Sequence, residues 1–203
     1  MTLTKFSKVL AHFEKTDPKI AQVLVTVDLN EWFEKRDKED HFQHLARNII
    51  YQQLAGRAAS TIYSRFVALV SEVKPEKVLA RSDQELRDVG LSWAKVKYVK
   101  DLASQTLNRT VILDNLDTLE DESVIKELVK VKGIGRWTAE MFLLFTLHRE
   151  NIFSHLDLGL KNGFAKLYGV QDPSHEKIEK VVQKWAPYKS YGSISLWHYL
   201  DNR

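Results

Sequence analysis

Apolar residues recur along most of this chain at spacings of three and four, the period of helices with one buried face. A first such stretch runs over roughly 3–14. Asp17-Pro18 opens a second. The strongest amphipathic pattern spans 39–55 (EDHFQHLARNIIYQQLA), where Phe42, Leu45 and Ile49 share a face that Gln52 extends. Gly56 interrupts it, and 57–72 resumes the helical period. Pro75 and Ser82-Asp83 each begin a short helix, and Gly90-Leu91-Ser92 is a turn before a helix over about 93–108. Residues 121–131 (DESVIKELVKV) are helical, with Asp121 or Glu122 near the start and Ser123 as a candidate cap. Strand-like alternation is confined to 23–29 (VLVTVDL), where Ile20, Val23, Leu24 and Val27 also satisfy a helix. The pattern predicts an all-α fold.

Composition narrows this. A chain of 203 residues fits one domain or two small lobes sharing a core, and 44% apolar content argues against wholesale disorder. With 8 Gly and 4 Pro there is no linker-like stretch, repeat or low-complexity tract. The absence of cysteine excludes disulfides, thiolate zinc sites, iron–sulfur clusters and a Cys nucleophile, and fits an intracellular protein. The N-terminus is charged throughout, unlike a signal peptide, and no apolar run reaches the ~20 residues of a membrane span, so the expectation is a soluble protein with no membrane contact. The net charge of +3 is too small to identify a nucleic-acid partner, since what matters is where the charges cluster.

Candidate chemistry starts at residues 128–148 (LVKVKGIGRWTAEMFLLFTLH). A helix ends at Val131, Lys132-Gly133-Ile134-Gly135 is a tight turn, and a second helix begins near Arg136 and runs through Phe142, Leu143, Phe145 and Leu147. Glycine tolerates positive φ and lets a ligand approach the backbone. Ile134 would pin the turn to the core. The N–H groups opening the second helix, with the dipole behind them, would form a phosphate site flanked by Lys132 and Arg136. The plainer reading is a glycine-capped connection between packed helices, because an isolated G-x-G is weak evidence.

Some twenty residues on, Asp157 precedes a short apolar-periodic helix that ends near Gly169. It is either a cap and nothing more, or a carboxylate kept anionic by backbone donors and the helix dipole beside the turn.

Together, LVKVKGIGRWTAEMFLLF (128–145) and LDLGLKNGF (156–164) resemble the helix-hairpin-helix (HhH-GPD) DNA glycosylases, and among them the 3-methyladenine DNA glycosylase II branch. The resemblance covers roughly 40–200 and includes Ile50-Tyr51-Gln52-Gln53-Leu54, Gly90-Leu91-Ser92 with Lys95, and Trp185-Ala186-Pro187-Tyr188-Lys189-Ser190. It implies a two-lobed helical fold with the active-site cleft between the lobes, forming a single unit over 1–203. Within it, 1–38 would pack with the C-terminal lobe. Residues 39–150 would form a lobe ending in the hairpin (about 122–148), and 151–203 would hold the catalytic-Asp helix and the C-terminal helices.

The resemblance further implies that Asp157 is catalytic and that Gln53, Leu54, Lys132, Gly133, Ile134, Gly135, Arg136 and Thr138 contact DNA. Leu54 would be the wedge that fills the gap left by a flipped nucleotide. Trp137, Trp197, Met141 and Tyr51 would line the base pocket. No cofactor is required, though Na+ or K+ bound by the hairpin backbone at Val131 and Gly133 is expected. Trp137 stands where strand-cleaving relatives carry a nucleophilic lysine, which implies a monofunctional enzyme. Met141 replaces a usual tyrosine. The N-terminal β-domain of some relatives and the cysteine cluster of others are missing. The implied activity is removal of alkylated bases of the 3-methyladenine and 7-methylguanine class from double-stranded DNA in base excision repair. The enzyme would be a monomer, in the cytoplasm at the nucleoid if bacterial and in the nucleus if eukaryotic.

The chemistry suits these residues. An alkylated purine is already cationic and leaves without a strong general acid. One carboxylate then suffices to stabilise the developing oxocarbenium and direct water, while indoles stack on the cation. Two alternatives stand: a non-catalytic DNA-binding hairpin module, and a glycosylase for a neutral base that would need polar recognition from residues such as Gln52, Gln53 and Tyr51. His41 and His44, one turn apart with Glu39 and Asp40 nearby, form a weak metal candidate. Ser174-His175-Glu176-Lys177 matches S-x-x-K, but Ser174 reads as a helix cap. Glu31 to Asp40 is a solvated charge run, and Trp32 and Trp93 are packing residues.

Overall fold

The computed structural model describes residues 3–29, 40–54 and 56–202. Trp32, Glu39 and most of the 31–40 charge run lie outside them. Every regular element among the described residues is helical, as the periodicity predicts. The chain divides into two compact units, Met1–Lys35 with Leu143–Arg203, and Arg36–Phe142.

In the first unit, α1 (Leu3–Thr16) and α2 (Pro18–Leu24) pack together, and α2 also packs on the last helix, Lys189–Asp201. That last helix lies along Leu158–Tyr168. Phe13, Ile20, Leu24, Phe164, Trp185, Tyr191 and Leu196 are buried in this unit. Asp17 caps α2, accepting from the Ile20 amide at 3.4 Å. It does more than cap: its Oδ2 accepts from Trp185 Nε1 at 2.8 Å and from the Tyr168 hydroxyl. Burial and this anionic partner hold the Tyr168 hydroxyl protonated, far above the ordinary tyrosine range.

In the second unit, α3 (His41–Tyr51) packs against α4 (Gly56–Val70) and α7 (Trp93–Leu107), with α5 (Pro75–Leu79) and α6 (Asp83–Asp88) also on α7. Phe42, Leu45, Ile49 and Ile50 give α3 a fully apolar inner face. Ser82 forms a reciprocal capping box with Glu85, and Ser92 caps α7.

Several boundaries differ from expectation. The long amphipathic helix breaks at Gln52, whose ψ of 133° is extended, and at Gln53, whose φ of 56° is left-handed. Gly56 simply opens α4. Helix α8 (Asp121–Leu128) stops before Val131, and its N-cap is Glu120, so Ser123 lies inside it. Trp93 is half-exposed at the surface with the Arg87 guanidinium 5.0 Å above its ring.

Candidate active site

Asp157 sits at the N-cap of α10 (Leu158–Tyr168) and is only 9% exposed. Its Oδ1 accepts from the Leu160 amide at 2.7 Å and from Trp197 Nε1 at 3.0 Å. The cap expected from sequence is therefore real, and a second donor arrives from 40 residues downstream. Trp197 also stacks on Phe145, with ring centroids 5.6 Å apart. A Cβ at Gly159 would stand 3.0 Å from both Asp157 Oδ1 and Trp197 Nε1, so any side chain there would press on that hydrogen bond. Leu156 and Leu158 flank the carboxylate and are about two-thirds exposed, giving it an apolar rim.

The loop that delivers Asp157 is laced to the final helix, α12 (Lys189–Asp201), by buried serines. Ser190 Oγ accepts from the Ile152 amide at 3.0 Å, and Ser193 Oγ donates to the Ile152 carbonyl at 3.1 Å. His155 pairs with Glu179 at 2.7 Å and lies over His175, with centroids 3.9 Å apart. Ser174 is a cap, accepting from the Lys177 amide, as expected.

The hairpin lies in the second unit, between α8 and the start of α9 (Arg136–Phe145). Gly133 has φ +85°, and a Cβ there would fall 2.3 Å from the Tyr98 ring, so glycine is required on two counts. Gly135 has nothing within 4 Å of its Cβ position, leaving the backbone open to a ligand. Ile134 is buried and anchors the turn. The first-turn N–H groups of α9 have no carbonyls within the helix to bond. Lys132 donates its amide to Asp101 at 2.8 Å, while its ammonium is largely exposed, 3.7 Å from the same carboxylate.

Two expectations at the hairpin need correction. Arg136 does not simply add charge: its guanidinium forks onto Glu122 and reaches Glu140 at 2.9 Å, and those carboxylates hold it protonated and offset it. The Thr138 side chain is buried, 3.5 Å from Gln52 Nε2, so only its backbone could meet DNA. The Gly133 carbonyl accepts Gln52 Nε2 at 2.9 Å, and that of Val131 accepts the Ile134 amide at 3.1 Å. A carbonyl oxygen has two lone pairs, so each keeps a position at which a monovalent cation would be held.

Around the hairpin, Trp137 is 41% exposed. Met141, expected in the pocket wall, is 9% exposed, the same as Asp157. Tyr51 is half-buried edge-on to Tyr63 under the Arg47 guanidinium, an aromatic cluster more than an open wall. Gln53 and Leu54 are exposed at the tip of the turn after α3, with Leu54 at 38%. The structure thus brings Trp197 to Asp157 in one unit and Gln52 to Gly133 in the other. His41 is engaged by the Leu113 carbonyl at 2.9 Å, and no cluster of metal-binding side chains occurs among the described residues.

The model of the HhH-GPD superfamily of base excision DNA repair proteins matches residues 46–188. A Bacillus subtilis (strain 168) protein, YfjP, is 34% identical over 162 residues, 75% of this chain; the chain spans only 56% of that relative's length. The DNA-3-methyladenine glycosylase of Saccharomyces cerevisiae is 34% identical over 198 residues, 89% of this chain and 67% of the yeast protein. A solved structure of Schizosaccharomyces pombe 3-methyladenine DNA glycosylase in complex with abasic DNA superimposes with a TM-score of 0.81 at 27% identity, covering 94% of this chain and 95% of that one. With a family match over most of its length, a hairpin built on Gly133 and Gly135, and a carboxylate seated on a helix N-terminus, the chain belongs to the HhH-GPD superfamily of base excision DNA repair proteins.

Proposed function

We propose that this chain is a DNA glycosylase that hydrolyses the N-glycosidic bond of alkylated bases, of the 3-methyladenine and 7-methylguanine class, in duplex DNA. The observation that carries this reading is Asp157: a carboxylate nine-tenths buried, fixed through one oxygen by a backbone amide and an indole N–H. Asp17 accepts from an amide and an indole in the same way at a structural cap, so what sets Asp157 apart is its place after the hairpin, in the segment LDLGLKNGF, with the exposed Leu156 and Leu158 beside it.

The damaged nucleotide leaves the stack at a cost of a few kcal/mol, and Leu54 fills the space it vacates. The flipped base is cationic and stacks on indole, for which Trp137 is exposed. As the C1′–N bond breaks, its electron pair passes to the base, which departs neutral. Positive charge develops on the sugar, where the Asp157 carboxylate stabilises it. Water adds to C1′ and its proton passes to the carboxylate or to solvent, leaving an abasic site. Trp137 offers no amine for a Schiff base, so strands remain intact after base release. The reading places the protein on DNA as a monomer, in whichever compartment holds the host's DNA.

Incubating the protein with methylated duplex DNA and following free base by chromatography tests this. Release of 3-methyladenine or 7-methylguanine, with strands unbroken until heated, is expected. Salt-sensitive DNA binding with no base released would instead favour a non-catalytic hairpin module.

A further inference from the structure

Lys95, on α7, has no role in the account so far. Its ammonium donates to the carbonyls of Ile50 at 2.8 Å and Gln52 at 2.7 Å, both at the C-terminal end of α3. Those carbonyls lack intrahelical donors and carry the negative end of the helix dipole, so a cation is well matched to them. Desolvation lowers the affinity of Lys95 for its proton. Gln52 is held twice, its carbonyl by Lys95 and its side-chain amide by the Gly133 carbonyl at 2.9 Å. Immediately after it, Gln53 turns left-handed and presents Leu54.

The same helix also braces the hairpin. One turn on from Lys95, the Tyr98 ring fills the space against Gly133. One turn further, Asp101 accepts the Lys132 amide at 2.8 Å, and Gln105 donates to the Lys130 carbonyl at 3.1 Å. Positions 95, 98, 101 and 105 recur at helical spacing, so one face of α7 supports both the Leu54 turn and the phosphate-gripping turn.

We propose that Lys95 is a positioning residue that acts through Leu54: with Gln52 it fixes the wedge turn to the hairpin through α7, so that gripping the phosphate and inserting the wedge occur as one rigid step. This deepens the glycosylase reading and rests on it for the role of Leu54.

The test is a double-mutant cycle of Lys95→Met and Leu54→Ala. It is read on a duplex carrying a tetrahydrofuran abasic analogue beside 2-aminopurine, whose fluorescence reports wedge insertion without any excision. Lys95→Met is expected to weaken the insertion equilibrium about tenfold while leaving affinity for undamaged duplex within about twofold. In the Leu54→Ala background the same change is expected to have no further effect. Independent, additive losses would overturn the proposal, as would equal losses on damaged and undamaged DNA. If Lys95→Met melts below the assay temperature, Gln52→Met, which keeps the Lys95 carbonyl contacts, replaces it with the same expected coupling. A normal insertion signal with no base release from methylated DNA by wild type would defeat the glycosylase reading and leave this coupling standing.

Discussion

Asp157 receives both of its described donors on a single oxygen, and the two donors have separable jobs. The Leu160 amide would be satisfied by any capping residue, whereas Trp197 Nε1 approaches from the final helix and bears on how the carboxylate is oriented. Trp197→Phe keeps the aromatic ring and its stacking on Phe145 but removes the hydrogen bond. A hydrogen bond to a charged group contributes about 1.5–3 kcal/mol, so the single-turnover excision rate should fall by roughly 10- to 100-fold with damaged-DNA affinity little changed. At the hairpin, Gly133→Ala forces a side chain into left-handed backbone and against Tyr98. Backbone strain alone costs about 1–3 kcal/mol, so a lowered melting temperature and weakened DNA binding are expected together. Single residues were legible in the sequence where the cause is local. The Asp157 cap lies within three residues of its donor, and the Gly133 requirement follows from the turn. The partners of Trp197 and Lys95 were not legible, because each is fixed by packing between elements far apart in the chain; the Arg136–Glu140 pair, one turn apart in a single helix, is the kind of spacing a sequence does display.

Helices are stabilised here in two ways, and only one leaves a mark on the sequence. α3 displays a one-sided apolar stripe and was legible as a helix, although its end was not: the left-handed turn at Gln53 replaces the expected break at Gly56. α12 buries residues on every side, including Ser190, Ser193 and Ser195, so it has no amphipathic stripe to read. Ser190 and Ser193 become intelligible once the 149–152 loop lies beside them, accepting from and donating to that backbone, while Ser195 donates to the Tyr191 carbonyl within the helix. Asp17 is a third case, a recognisable helix cap that also joins Trp185 and Tyr168 across the first unit. Asp17→Ala would leave buried donors unsatisfied as well as removing a cap. The expected destabilisation is about 3 kcal/mol or more, measured by denaturant unfolding, against about 1 kcal/mol for Ser82→Ala at the exposed capping box of α6.

Across the whole molecule, a net charge of +3 does little to announce a DNA-binding protein; the argument for one rests on local geometry and family. Affinity for duplex should nevertheless fall steeply with salt, because each neutralised phosphate contributes about −0.9 to the log–log slope. Lys132→Gln should flatten that slope by about one if its exposed ammonium meets a phosphate. Arg136→Gln should change it less, since Glu122 and Glu140 already offset that charge. The all-helical class and the hairpin were readable from periodicity and glycine placement. The division into units at residues 142 and 143 was not, because it falls inside the unbroken helix Arg136–Phe145.

If the Asp157 carboxylate performs the chemistry, wild type and Asp157→Asn will differ on methylated duplex DNA. The side chain keeps its shape and an oxygen that can still accept from Leu160 and Trp197, but loses its charge. Release of alkylated base by wild type alone, with both proteins binding damaged DNA comparably, is the predicted result. Base release by the Asn variant at a rate near that of wild type would contradict the account.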